Sequence, residues 1–351
     1  MKIRVDEATS ARSQKRWAFV VWPWLSTFLR YTVISYSAVL YALWGIQWLM
    51  DGRDPFVGWI RSVFYLLILP TFPLLLLSVF LRRRSWTLIL LPPVVIFLVA
   101  YGVFFVPRAQ TVPVDGSDLS ILTFNIQIPE NEKLTSIVEI IKDSEADVVA
   151  VQELSQAAAN EMAVALSTRY PYQALHPQEY APAGQGLLSR YPIVEETYWR
   201  YTEYDWSFGH QRVVLEIEGD PVVIFNTHPV PFYTPARGLR QDRHLRVMLD
   251  VMERTLAETV PVVLLGDFNV TDQSNIYQQI TDQYTDAYRA VGRIGFGFTY
   301  PTDKVWLPPF VRLDFIFYSE EWTGILAEVW PNSGGSDHAP VLVRLLPPQG
   351  R

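Results

Sequence analysis

Val262-Val263-Leu264-Leu265-Gly266-Asp267-Phe268-Asn269 is the stretch from which the rest of this chain can be read. Four apolar residues in a row read as a buried strand, and the glycine that follows marks its end. Asp267 and Asn269, at i and i+2, are then expected to point to the same side. An anionic oxygen beside a neutral amide suits a metal ion or a phosphate oxygen. An Asx-type turn closing the strand is the plainer reading of these residues taken alone. The pattern recurs along the chain, which weighs against that plainer reading. Asn125 ends Leu122-Thr123-Phe124, Glu153 ends Val148-Val149-Ala150-Val151-Gln152, and His228 ends the run Val222 to Thr227. Asp314 sits between Leu313 and Phe315, and Asp337 and His338 lie in Gly-Gly-Ser-Asp-His-Ala-Pro.

Working outward, strands are expected at Leu119 to Ile126, Val148 to Val151, Gly186 to Ser189, Arg212 to Ile217, Pro221 to Thr227, Val262 to Leu265, Leu313 to Tyr318 and Val341 to Leu345. Helical spacing of Leu134, Ile137, Val138, Ile140 and Ile141 predicts a helix before the second strand. Ser155 to Arg169 and Ala236 to Leu256 read as two more. Strand pairs without a helix between them mix with helix-connected pairs, so one parallel sheet fits poorly. The fold class expected is α/β, two packed mixed sheets flanked by helices.

The first third differs in kind. Tyr31 to Met50, Ser62 to Leu81 and Ser85 to Pro107 contain no Asp, Glu, Lys or Arg, and each matches the roughly 20 residues needed to cross a bilayer core. Pro70, Pro73, Pro92 and Pro93 interrupt the second and third runs, which membrane helices tolerate with kinks. The division expected is an N-terminal segment at 1–30, three transmembrane helices within 31–107, a linker at 108–118 and a catalytic domain at 119–351. Trp17 to Leu29 is either an interfacial segment or an extension of the first span. Lys2, Arg4, Arg12, Lys15, Arg16 and Arg30 precede the first span and Arg82 to Arg84 separate the second from the third. Basic residues favour the cytoplasmic side, so an integral membrane protein is expected with its N-terminus cytoplasmic and the domain after Pro107 extracytoplasmic.

The chain has no cysteine, which excludes disulfides, a thiolate nucleophile and sulfur-ligated metal. From Arg108 onward, 18 basic residues face 32 acidic ones, a net charge of −14. Such a surface is poorly suited to the broad phosphate-neutralising footprint of a nonspecific nucleic-acid binder.

A polar residue emerging from a buried strand has a high desolvation cost unless it is paired or bound to a cation. Asn125, Glu153, Asp267 and Asp337 form an oxygen-only set, which suits Mg²⁺ or Mn²⁺, with Ca²⁺ as a further option, and disfavours structural zinc. Asp314 needs a partner between its apolar neighbours, and a histidine ring would supply one, with His338 the candidate.

From Leu119 to Leu345 the chain resembles the endonuclease/exonuclease/phosphatase superfamily, the DNase I-like proteins. The likeness is carried by Phe124-Asn125-Ile126-Gln127, Val151-Gln152-Glu153, Gly186-Leu187-Leu188-Ser189-Arg190-Tyr191-Pro192-Ile193, Asn226-Thr227-His228, Gly266-Asp267-Phe268-Asn269, Phe298-Thr299-Tyr300-Pro301, Arg312-Leu313-Asp314-Phe315-Ile316 and Gly335-Ser336-Asp337-His338-Ala339-Pro340. Each string alone is weak, but their order and spacing agree throughout. The resemblance implies a two-layer β-sandwich flanked by helices, with the active site at one edge. It further implies that Glu153 ligates the metal with Asn125 and Asp337 close by, and that Asp267 and Asn269 orient water and phosphate. Asp314 would position His338, and His228 would contact the phosphate or protonate the leaving oxygen.

The function expected is a membrane-anchored, metal-dependent phosphoesterase acting on an extracytoplasmic phosphodiester or phosphomonoester such as a lipid headgroup. An extracytoplasmic DNase I-like endonuclease and a non-catalytic membrane scaffold are the alternatives. The partners expected are the bilayer and a lipid or nucleic-acid phosphoester, and no motif points to a protein partner. Tyr204 to Phe208, Pro229 to Tyr233 and Val305 to Val311 either rim the site or pack as ordinary loops; at a rim, Trp306, Leu307 and Phe310 would touch the bilayer or a lipid, or stack on single-stranded nucleic acid bases.

Overall fold

The computed structural model describes residues 7–50, 55–108, 118–127, 131–178, 183–201, 208–231, 239–304 and 306–347. The linker expected at 108–118 lies almost wholly outside the described residues, as do positions 204–207, 232, 233 and 305 of the aromatic stretches.

Four helices open the chain: α1 (Glu7–Met50), α2 (Pro55–Ile68), α3 (Thr71–Phe80) and α4 (Arg84–Tyr101), followed by a 3₁₀ turn at Gly102–Phe105. The chain then divides into two compact units. One holds α1, α2 beyond Val63, α3 and α4; the other holds the first turns of α2 and everything from Phe104 onward.

Among the described residues, three segments are long and apolar enough to cross a membrane: Pro23–Met50, Val57–Phe80 and Arg84–Phe105. They begin before the uncharged runs do, because a lone arginine does not stop a helix. Trp17 to Leu29 is continuous with the first of them in one helix. Val33, Trp86 and Leu90 form a small buried cluster between α1 and α4. Outward-facing Trp48, Leu76, Phe80 and Val99 stay largely exposed, which is consistent with membrane anchoring. The prolines are accommodated through side chains. Pro93 lacks the N–H that would pair with the Ile89 carbonyl, and the Tyr41 hydroxyl donates to that oxygen at 2.7 Å. Where α2 gives way before Pro70, Tyr36 donates to Leu67 O at 2.8 Å and lies 2.7 Å from Thr71 Oγ1.

The second unit contains twelve named strands and five named helices among the described residues. In order they are β1 (Leu119–Asn125), α5 (Asn131–Asp143), β2 (Val148–Gln152), α6 (Gln156–Ala165), β3 (Tyr172–His176), β4 (Gln185–Ser189), β5 (Ile193–Arg200), β6 (Gly209–Ile217), β7 (Asp220–Thr227), α7 (Leu239–Leu256), β8 (Val262–Asp267), α8 (Asn275–Thr281), β9 (Thr285–Asp286), α9 (Ala287–Val291), β10 (Asp314–Tyr318), β11 (Thr323–Val329) and β12 (Val341–Leu346). They form two six-stranded sheets, ordered β11-β12-β1-β2-β4-β3 and β5-β6-β7-β8-β10-β9. Each is mixed, with a parallel pair near its centre, β1 with β2 and β7 with β8.

Strand alternation explains the layers. Ile121, Val148 and Ala150 face Ile224, Val263 and Leu265 across the gap between sheets. Their neighbours Leu122, Val149 and Val151 turn outward onto Ile137, Ile141 and Met162 of α5 and α6. On the opposite side Val223, Phe225 and Leu264 pack on Val247, Val251 and Ile276 of α7 and α8. Central strands buried on both faces therefore read as unbroken apolar runs, and the architecture is two mixed β-sheets flanked by helices. Buried amides also join the sheets. Gln152 Nε2 donates to Asn226 Oδ1 at 2.7 Å, and Asn226 Nδ2 donates back to Val151 O and Gly186 O.

Candidate active site

β1, β2, β7 and β8 all release their last residues at the same edge, because they form two parallel pairs, and β10 begins there because it runs antiparallel to β8, with Asp314 opposite Asp267. Asn125, Glu153, His228, Asp267 and Asp314 consequently converge. The loop before β12 adds Asp337 and His338. Ser336 pins that loop: its hydroxyl donates to Asn125 O at 2.7 Å and accepts from His338 N at 3.1 Å.

The backbone departs from regular geometry where these groups emerge. Gly266 has φ +132°, and a Cβ there would lie 2.0 Å from Thr227 O on the neighbouring strand, so only glycine fits. Glu153 and Asn269 adopt left-handed φ values of 59° and 52°, a conformation non-glycine residues reach only with some strain. The strand ends at Asp267, so Asp267 and Asn269 do not share a face by strand alternation, as the sequence pattern implied. A turn achieves the convergence instead: Asn269 N donates to Asp267 Oδ1 at 2.8 Å and Asn269 Nδ2 to Pro229 O at 3.0 Å. The Asx turn and the functional cluster are thus one feature.

Asn125 Nδ2 donates to Glu153 Oε1 at 3.2 Å and to Asp267 Oδ2 at 3.0 Å. His228 Nε2 lies 3.5 Å from Asp267 and 3.9 Å from Glu153, and His338 Nε2 lies 3.6 Å from Asp267. The other ring nitrogen of His338 is 2.8 Å from Asp314 Oδ2, with Asp314 fully buried. Asp314 Oδ1 accepts no hydrogen bond among the described residues, while the backbone N–H groups of Asp314 and Leu313 donate to Thr299 Oγ1. Glu153, His228, Asp267, Asn269, Asp337 and His338 all open onto one cavity of about 440 Å³, with Asn125 and Asp314 joined to them from behind.

Burial, then the charges of Asp267 and Asp337, hold the Glu153 carboxyl up at about 7 although the Asn125 amide pulls the other way. Burial likewise raises Asp267 and Asp337. His338 moves in the opposite sense to a merely buried imidazole: burial favours its neutral form, but Asp314 and Asp267 outweigh it and push the ring to about 10. Three crowded carboxyls whose charged forms burial disfavours are what a divalent cation would relieve. Asp267, Asp314 and His338 also place ligand atoms within 4.8 Å of one another. A carboxylate and histidine cluster fit for divalent-metal coordination is therefore present.

Several lining residues carried no role in the sequence reading. Tyr300 packs its ring 4.9 Å from that of His338, and Thr271 and Leu313 complete part of the wall beside Phe208, which belongs to a stretch expected to rim the site. Trp59, Ser62 and Val63 of α2 also line the cavity. No local pattern marks them, since they belong to an apolar helix far upstream.

A model described as the Endonuclease/Exonuclease/phosphatase family matches residues 122–338, well over half of the chain. Among solved structures, the endonuclease/exonuclease/phosphatase from Bacteroides vulgatus is similar at 20% identity with a TM-score of 0.53, over 65% of this chain and 98% of that one. A mannosyl-6-phosphatase from Bacteroides thetaiotaomicron gives 17% and 0.52, over 65% and 99%. The human Nocturnin catalytic domain with bound sulfate anion gives 18% and 0.53, over 67% and 95%. At these identities the likeness is one of fold. No curated protein matches this chain.

Proposed function

This chain belongs to the endonuclease/exonuclease/phosphatase family, and we propose that it is a membrane-anchored phosphoesterase that hydrolyses an extracytoplasmic phosphodiester or phosphomonoester, such as a lipid headgroup. Family membership and the Asp/Asp/His cluster support metal-dependent hydrolysis in general terms. The observation that carries the reading is the buried Asp314–His338 pair beside three crowded carboxyls on one cavity.

Glu153, with Asn125 and Asp337, would hold Mg²⁺ or Mn²⁺. Such an ion, when bound, supplies charge neutralisation at the phosphate oxygens. The protein's own groups do the rest. His338, kept protonated by Asp314 and Asp267, donates to a phosphate oxygen and stabilises the charge that develops there. Asp267, in a turn with Asn269, orients the water and takes its proton, as its raised affinity for protons suits a base. The water oxygen forms the new P–O bond. The ester P–O bond breaks, and the departing oxygen keeps the electron pair and takes a proton from His228. No covalent enzyme intermediate is involved.

The acidic surface argues against duplex DNA as substrate. The basic residues that precede the uncharged run from Tyr31, and those at Arg82 to Arg84, support the topology with the catalytic unit outside. Two experiments test the proposal. Purified protein with Mg²⁺ or Mn²⁺ should cleave a chromogenic phosphodiester or a phospholipid in preference to plasmid DNA, and Glu153→Ala and His338→Ala should abolish turnover with folding intact; turnover retained in either variant refutes the assignment. A cysteine introduced on the catalytic unit of this cysteine-free chain should react with a membrane-impermeant maleimide on intact cells or spheroplasts, and protection from it refutes the topology.

A further inference from the structure

The cavity lining mixes two kinds of side chain: the ionisable Glu153, Asp267 and His338, and the large apolar Trp59 and Val63 of α2 with Phe310. A small phosphoester recognised only through its phosphate would gain nothing from such apolar lining. The first turns of α2 are fixed to the catalytic loop that follows Asn269. Arg61 Nη1 donates to Asn275 Oδ1 at 2.8 Å, and Thr271 Oγ1 donates to Ser62 Oγ at 2.9 Å. Val57, Ile60 and Ser62 are buried, yet Trp59 remains 51% exposed while bordering the cavity. A large apolar ring is therefore left uncovered beside the reacting groups. Trp59, Ser62 and Val63 share one face of these turns by i+3 and i+4 spacing, and they open the stretch Val57–Phe80, which is long and apolar enough to cross a membrane.

From this apolar lining we propose that the substrate is a bilayer amphiphile whose hydrocarbon chain lies against Trp59 and Val63 while its phosphoester reaches Asp267 and His338. Trp59 and Val63 then determine specificity, and the helix is part of the substrate site. The inference rests on the phosphoesterase reading of the same cavity. Each methylene so buried is worth up to about fourfold in affinity, so a handful of them exceeds 100-fold.

The test uses the full chain in nanodiscs and two esters with the same scissile bond, hexadecyl and methyl p-nitrophenyl phosphate, with Mn²⁺. Hexadecylphosphonate and methylphosphonate, whose carbon–phosphorus bonds are not hydrolysed, give a binding readout independent of turnover. In the wild type the ratio of kcat/KM for the two esters, and of Kd for the two phosphonates, should exceed about 100. In Trp59→Ala and Val63→Ala both ratios should fall at least tenfold, and Trp59→Phe should restore most of the loss. Equal ratios in wild type and alanine variants, or no chain-length dependence at all, would overturn the inference. Failure to cleave either ester with the phosphonate gap intact would instead overturn the hydrolytic reading and leave the chain-binding face standing.

Discussion

Asp314→Asn removes one charge from the centre of the site while keeping the side chain's shape and a hydrogen-bond acceptor. Asp314 is fully buried, His338 is 5% exposed, and the two meet at 2.8 Å. Unit charges at that separation attract with a ceiling of about 6 kcal/mol at an effective dielectric of about 20. Desolvation offsets part of this, and charge-assisted hydrogen bonds contribute about 1.5–3 kcal/mol net. If that stabilisation is felt where charge develops on the phosphate, kcat should fall by roughly 10- to 150-fold. The pH profile should change as well. Asp314 is the foremost group pushing His338 to about 10 against the effect of burial, so the wild type keeps its imidazolium into alkaline solution. The variant should lose activity at a distinctly lower pH as the ring deprotonates. The assay is initial rate on a chromogenic phosphodiester with saturating Mn²⁺ from neutral to alkaline pH, with circular dichroism confirming the fold. A kcat within threefold of wild type together with an unmoved alkaline limb would refute the dyad's role.

Other consequences concern stability and binding. Arg312 and Asp286 are each about 2% exposed and share two bonds of 2.6 and 2.7 Å; Asp286→Ala strands a buried guanidinium and should lower unfolding free energy by about 3–5 kcal/mol in urea titrations. Gly266→Ala should cost more than about 3 kcal/mol or prevent folding, since its Cβ would meet Thr227 O and the residue sits at positive φ; soluble expression and melting temperature report this. Burial lowers His210 to about 3 and His244 to about 4. Both stay neutral in the folded state while the unfolded chain takes up protons below about 6.5, so stability should drop as pH falls from there, by roughly 2 kcal/mol per histidine at pH 5, and His210→Gln should flatten that slope in pH-dependent melts. Mn²⁺ at about 100 times its Kd should stabilise the folded catalytic unit by about 2.7 kcal/mol, a thermal shift that Glu153→Ala should abolish.

The sequence pattern disclosed eight strands of the sandwich and missed four, and the division is physical. β3, β5, β9 and β11 are the outer strands of the two sheets. Ile193-Val194-Glu195-Glu196-Thr197-Tyr198-Trp199-Arg200 has its middle residues exposed, and β9 is two residues long, so neither offers the apolar run that a strand covered on both faces requires. The residues that converge on the candidate site stood out for the same reason in reverse: Asn125, Glu153, Asp267 and His228 interrupt or terminate such runs. What could not be read was contact between distant segments. Tyr300 beside His338, Gln152 bonded to Asn226, and Trp59 at the cavity depend on tertiary placement that no local spacing encodes. Helix ends also drifted, as with α6, which stops at Ala165 short of the expected Arg169.

β1 is the earliest strand of the sandwich and β12 the latest, yet they are adjacent, with Leu119 opposite Leu345. During synthesis the first of these must wait, one edge unpaired, until Val341 to Leu346 have emerged. Pairings of such long sequence separation form slowly, and an open apolar edge invites association with other chains. Production of this protein should therefore be unusually sensitive to anything that delays or removes β12, such as a stop codon placed before Val341.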